Sequence, residues 1–489
     1  MKFCDMPYER IDFEKVKEEL LELMEAFKSA GSAQKQFEIH KKYYALSDKV
    51  STQVTLASIR HSMDTTDVFY EKEKAYYDEQ VPAYSNLTVE YLKLLYHSRF
   101  REELEQIIGA VAFKNMELSF RSVSEAVIPL MQEENALVTE YEKLLASAKI
   151  DWDGEVLNLS LLGPYLKHKD PEVRKRAYEK QNAFFLSISD KLDELYDKLV
   201  KNRTLQAKEL GFKSYTELGY LRMQRNSYQR EQVENLRRQV KEVFVPFAES
   251  LYEHRRERLG LSKMYFSDEQ VYGREGNPQP FGTPEEILKA GQRMYGELSK
   301  ETREFFDFMM ENELLDVFGR KTKAVGGYMT YIPDYKSPFI FANFNGTSDD
   351  VNVITHECGH AFQGYLASED PIREHADIGM ETAEIHSMSM EFFTEPWYAL
   401  FFAGDKAKAY QEMHLEDAVL FIPYGCMVDE FQHRIYDEPD MTPKERKLVW
   451  KELERVYKPH LDYGSLQFFC GGRLLAAAAS HLQFSSVLY

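Results

Sequence analysis

Apolar residues recur at intervals of three and four through most of this chain, the period of a helix with one buried face. In residues 13–27, Val16, Leu20, Leu23 and Phe27 share such a face. Residues 34–46 and 70–77 carry the same pattern. Asn86 is placed to open a further helix as its cap, with Leu87, Tyr91, Leu94 and Leu95 behind it. Asp170 before Pro171 is a second start signal: a capping carboxylate, then a proline whose missing N–H is no loss at the first helical position. Residues 157–164, ending in Gly163-Pro164, read as a loop boundary. Residues 267–284, rich in Gly, Pro and acidic side chains, read as a long surface connection or a flexible flap. One pair of segments reads as strands, residues 328–333 and 338–343, joined by a short turn at Asp334-Tyr335-Lys336. No fixed-period repeat is evident. The pattern predicts a mostly helical protein with one small antiparallel sheet.

One helix-forming stretch carries His356-Glu357-Cys358-Gly359-His360. Histidines at i and i+4 lie one turn apart on the same face, so both imidazoles reach one tetrahedral zinc. Glu357, beside the first histidine, is then placed to take a proton from a water that the zinc has acidified. Val351, Val353 and Ile354 before the motif, with Ala361, Phe362 and Leu366 after it, predict a largely buried helix. Gly359 inside a helix costs about 1 kcal/mol relative to alanine, which predicts another backbone packed close against it. A zinc site of this kind needs a third protein ligand. One class of zinc peptidase has a glycine three and a histidine six residues beyond the motif; here those positions are Gln363 and Leu366. That leaves a glutamate on a following helix. Residues 379–393 form a helical run with Glu381, Glu384 and Glu391, and spacing does not choose between Glu381 and Glu384. Glu369 and Glu374 fall in a turn-rich stretch too close to the motif for a second helix to fold back. A solvated face is the ordinary place for a glutamate, but the three on this run stand among Met388, Met390, Phe392 and Phe393.

The motif, followed by Glu381-Thr382-Ala383-Glu384-Ile385-His386-Ser387-Met388-Ser389-Met390-Glu391, resembles the oligoendopeptidase F branch of the thimet oligopeptidase family. Gly326-Gly327-Tyr328-Met329-Thr330 and Pro338-Phe339-Ile340-Phe341-Ala342-Asn343-Phe344-Asn345-Gly346-Thr347 resemble its glycine loop and edge strand. Phe421-Ile422-Pro423-Tyr424-Gly425 and Val428-Asp429-Glu430-Phe431-Gln432 resemble its helix behind the site. Weaker likeness runs back through Gly211-Phe212-Lys213-Ser214-Tyr215 to Asn158-Leu159-Ser160. The resemblance implies a two-lobed helical metallopeptidase fold around a deep channel that admits short unfolded peptides, with one zinc per chain. By motif position it implies Glu384 as the third zinc ligand and Glu391 as a carboxylate orienting a ligating imidazole. Substrate contacts are expected from Gly326, Gly327, Tyr328, Phe339, Phe341 and Asn343, where a free sheet edge would take a peptide as an added strand. The chain then divides into an N-terminal helical region (1–150), a helical channel wall (151–320) and a zinc catalytic region (321–489).

With 81 acidic against 61 basic residues, the net charge of −20 argues against nucleic acid and anionic membrane as partners. Cys4, Cys358, Cys426 and Cys470 are far apart and too few for a disulfide framework, which fits a reducing, cytoplasmic setting. The first residues lack the apolar core of a secretion signal, and no run of about 18 apolar residues occurs. From about residue 465 the chain departs from the family, which continues with a histidine and several tyrosines that bond the substrate and the developing oxyanion. Here Gly471-Gly472-Arg473 leads into a run of four alanines, and a one-nucleotide shift of permitted codons makes a family-like string available. A truncated or frame-shifted C-terminus, with poor turnover, is the expectation for that segment. The reading that results is a cytoplasmic zinc endopeptidase. Two alternatives stay open. A metallocarboxypeptidase would need a cation for the substrate's free carboxylate, and Arg373, Arg434 and Arg473 are present. A zinc- or peptide-binding form without turnover would follow from the altered C-terminus.

Overall fold

The computed structural model describes residues 1–472. Helices dominate, and their starts follow local chemistry. Asp12, Ser32, Asp67, Asp170 and Thr442 each cap a helix by accepting a backbone N–H of its first turn. Helices Phe13–Ser29, Ala33–Met63, Val68–Tyr96, Arg101–Ile108 and Ala110–Ser122 pack around Leu20, Val50, Tyr91, Leu95 and Phe113. A second core joins helices Pro171–Ser187 and Ser189–Glu209 to helices Lys406–Asp437 and Pro443–Tyr457, and takes in Leu466, Phe468 and Phe469. A third surrounds the larger sheet and the helix carrying the histidine motif. Between these bodies lies a cleft of about 850 Å³.

Among the described residues two sheets are present where one was expected. The first is a hairpin of β1 (Ile150–Trp152) and β2 (Glu155–Leu157). The second contains β3 (Leu315–Phe318), β4 (Tyr328–Ile332) and β5 (Ser337–Phe344) in the order β3-β5-β4. The antiparallel β4–β5 pair is the expected hairpin, and Lys336 turns it in a left-handed conformation (φ 47°). β3 joins β5 in parallel, so the sheet is mixed. Four residues between a helix and a loop carry too little alternation to be read as a strand. β4 is left at the free edge.

Three further expectations change. Asn86 caps nothing: it lies inside helix Val68–Tyr96, which runs on through Pro82 because Tyr77, Val89, Tyr91 and Leu95 bury one face over its whole length. Residues 157–164 are not a loop boundary but mostly helix Leu159–Leu166, capped by Asn158. Pro164 cannot donate to the Ser160 carbonyl, and the Asn345 side-chain amide donates there instead at 3.4 Å. Gly163 makes room, since a Cβ would stand 2.8 Å from that same amide nitrogen. The Gly-Pro pair therefore docks the loop that leads into the histidine helix. Residues 267–284 connect two helices but are tied down: Arg174 pairs with buried Asp268 at 2.5 Å, and Asn277 bonds the backbone of Tyr272 and Gln270. No helix among the described residues is long and apolar enough to cross a membrane. The stretch expected to be truncated or frame-shifted lies, from Arg473 on, outside the described residues; before it Leu466, Phe468 and Phe469 are core, with Phe468 stacked on Phe185.

Candidate active site

The histidine motif lies on helix Asp349–Ala367 and the glutamates on helix Met380–Phe393. Asp350 holds the loop before the first of these, accepting Asn345 N and Gly346 N at 3.0 and 2.8 Å. The two helices touch backbone to backbone at Gly359, where a Cβ would meet Ser387 Cα at 2.6 Å and the His386 carbonyl at 2.7 Å. That closeness brings Glu384 over the histidines. Its Oε2 is 3.3 Å from His356 Nε2 and 3.8 Å from His360 Nε2, and the three donor atoms lie within 4.8 Å of one another. A tetrahedral zinc with bonds of about 2.0–2.1 Å sets its ligands roughly 3.3–3.5 Å apart, so two neutral imidazoles and one carboxylate here fit such an ion. Glu381 is elsewhere. One turn earlier, it takes a bidentate bond from Arg225, a nearly buried arginine stacked on Tyr220.

Glu391 accepts His356 Nδ1 at 2.6 Å through one oxygen and His414 Nε2 through the other. The bond to Nδ1 leaves His356 Nε2 facing Glu384. Burial opposes a charge on His356, but the hydrogen bonds its ring donates to Glu384 and Glu391 prevail and lift its pKa to about 10. A dication held by His356, His360 and Glu384 would take the place of that proton. Burial and the neighbouring His356 push His360 down. Burial raises Glu357 to about 7, against the pull of His356 and a hydrogen bond from Met329 N–H. A carboxyl poised near neutrality is suited to proton transfer at physiological pH.

Gly326, Gly327, Tyr328, Met329 and Tyr331 line the cleft along β4. Gly326 turns the chain in the left-handed region (φ 92°). Phe339 and Phe341 do not line it: both are fully buried, and Tyr328 stacks on Phe341 at 4.9 Å. Along β5 these side chains face the core, so they support the wall rather than form it. The Asn343 side chain also turns inward, donating to the carbonyls of Ala324 and Gly326 at 2.9 Å each and thereby shaping the glycine loop. Sequence reasoning missed His414 and Asp417, which line the cleft from helix Lys406–Asp437 together with Phe421, whose segment it placed behind the site. Their spacing of three and four was the available signal. It also missed Asp48 and Asp377, for which no local signal exists.

Residues 3–123 match the peptidase M3 N-terminal domain, and residues 165–290 and 297–470 match peptidase family M3. Fold and site together define a helical peptidase. The chain belongs to peptidase family M3. Oligopeptidase PepF of Bacillus subtilis (strain 168) is 21% identical over 482 residues, spanning 91% of this chain and 69% of that protein. PZ peptidase A, solved with an inhibitor, superposes with a TM-score of 0.97 at 44% identity, covering 99% of this chain and 86% of its own. A structure provisionally named oligoendopeptidase F, from Bacillus anthracis str. Ames, has a TM-score of 0.92 at 43% identity, covering 99% and 89%.

Proposed function

We propose that this peptidase is a zinc endopeptidase of the cytoplasm that cuts short unfolded peptides, holds one zinc through His356, His360 and Glu384, and uses Glu357 as general base. The observation that carries the reading is the convergence of three donor atoms, from His356, His360 and Glu384, beside Glu357 in a cleft edged by a free strand. Bound at those donors, zinc supplies Lewis acidity to a water and to the scissile carbonyl. Glu357 takes the proton as the water attacks, then delivers it to the leaving nitrogen. Glu391, anchored by His414, keeps the His356 ring from turning. A peptide laid on the free edge of β4 pairs its backbone with the strand, which positions it without demanding particular side chains. The carboxypeptidase alternative finds less support. Arg373 lines the cleft but is paired with Asp48 at 2.7 Å, and Arg434 is paired with Glu452. The acidic net charge argues against nucleic acid or anionic membrane as partners.

A peptide blocked at both ends and quenched internally tests this. The zinc-loaded chain should cut it. Glu357→Gln should keep one zinc and lose roughly 10²–10⁴ in rate. Near-normal turnover by the metal-loaded variant would remove Glu357 from its role, and cutting confined to peptides with a free C-terminus would favour the carboxypeptidase.

A further inference from the structure

The cleft carries more negative charge than the proposed metal centre uses. Six carboxylates line it, those of Asp48, Glu357, Asp377, Glu384, Glu391 and Asp417, against one arginine, Arg373. Glu357, Glu384 and Glu391 belong to the centre. Asp48 is bound to Arg373, and Asp417 accepts the Tyr272 hydroxyl at 2.8 Å. Asp377 is left over. Its carboxylate accepts the Gln224 amide at 3.4 Å and forms no ion pair among the described residues. The Asp377 side chain is exposed at the cleft wall, so it is open to a ligand in the cleft. Gln224 stands in the left-handed region (φ 55°) and keeps its own Oε1 buried without a donor. This corner lacks donors twice over.

Its chain position keeps it near the Arg373 end of the cleft. Asp377 is four residues from Arg373, hence within about 14 Å of it. Arg373 and Asp48 act electrostatically on Tyr331 and Asp334, at the C-terminal end of β4. Met329, which bonds Glu357, is two residues before Tyr331. A peptide running antiparallel to β4 carries the residues preceding its scissile bond toward this end.

We propose that Asp377 selects substrates bearing a cationic group, an α-ammonium or a lysine or arginine side chain, a few residues before the scissile bond. The proposal rests on the endopeptidase reading above. It is tested by binding, which needs no turnover. Labelled peptides are titrated onto zinc-loaded Glu357→Gln: one with a free amino terminus, its N-acetyl form, and an N-acetyl form with a lysine near the start. The cationic peptides should bind about tenfold tighter than the neutral one. Adding Asp377→Asn should erase the difference, Asp377→Glu should keep most of it, and the neutral peptide should bind all three alike. Comparison of the free-amine and lysine peptides separates the two sources of charge. Equal binding of charged and neutral peptides, or a preference that survives Asp377→Asn, overturns the proposal. Cutting by the unmutated chain is followed in parallel, and its absence would count against the endopeptidase reading alone.

Discussion

Glu381 and Glu384 stand one helical turn apart and meet different partners. Glu384 faces the two imidazoles, while Glu381 faces a guanidinium from another part of the chain. Metal analysis after dialysis distinguishes them. Glu384→Gln should lose most of its zinc, since a neutral amide is a poor third ligand. Glu381→Gln should retain one zinc per chain and instead lose stability, roughly 1–3 kcal/mol, because it weakens the bond that satisfies a nearly buried arginine. The reverse pattern of zinc loss would reassign the ligand to Glu381.

At the scale of elements, the site depends on how closely two helices approach. Helix Asp349–Ala367 meets helix Met380–Phe393 at Gly359, where no side chain fits. Gly359→Ala improves local helix propensity by about 1 kcal/mol, yet forces a methyl into the His386–Ser387 backbone. Overpacking of this kind costs about 1–3 kcal/mol and shifts backbones. The expected outcome is a lower unfolding midpoint together with weaker zinc retention, since Glu384 rides on the displaced helix. Unchanged zinc affinity by competition with a chelator would show that the contact is not what sets the donor spacing.

Across the whole molecule, the N-terminal helices grip the connection between these two helices. Asp48 bonds Arg373, His40 and Tyr44 bond Glu374, and the Ile108 carbonyl bonds His375 Nε2 at 2.9 Å. His40 is fully buried, so its bond to Glu374 at 2.8 Å is not replaced by water if the carboxylate is removed. Glu374→Ala should therefore destabilise by about 1–3 kcal/mol, and should loosen zinc although residue 374 lies outside the donor set. Thermal unfolding with and without added zinc measures both. A stability loss with zinc affinity intact would confine the grip to folding.

The histidine pair, the helical build, the β4–β5 hairpin and the set of candidate glutamates were legible in the sequence, because each rests on spacing within one element or on adjacent residues. Spacing predicted a close neighbour for Gly359 but not which backbone it was. The choice of Glu384 over Glu381 came only from the resemblance; the physical reason appears when Arg225, 156 residues away, occupies Glu381. Gly163-Pro164 signalled a break, and only the docking of Asn345 into that gap shows why a helix persists there. Phe339, Phe341 and Asn343 were named from a strand whose facing depends on what packs beneath it. Asp48 and Asp377 had no signal, and His414 had only its helical spacing to Asp417 and Phe421, since a cleft wall is assembled from elements far apart in the chain. Local periodicity determines which elements form; burial and pairing between distant elements decide which side chains face the cleft, and so which carboxylates stay free to act.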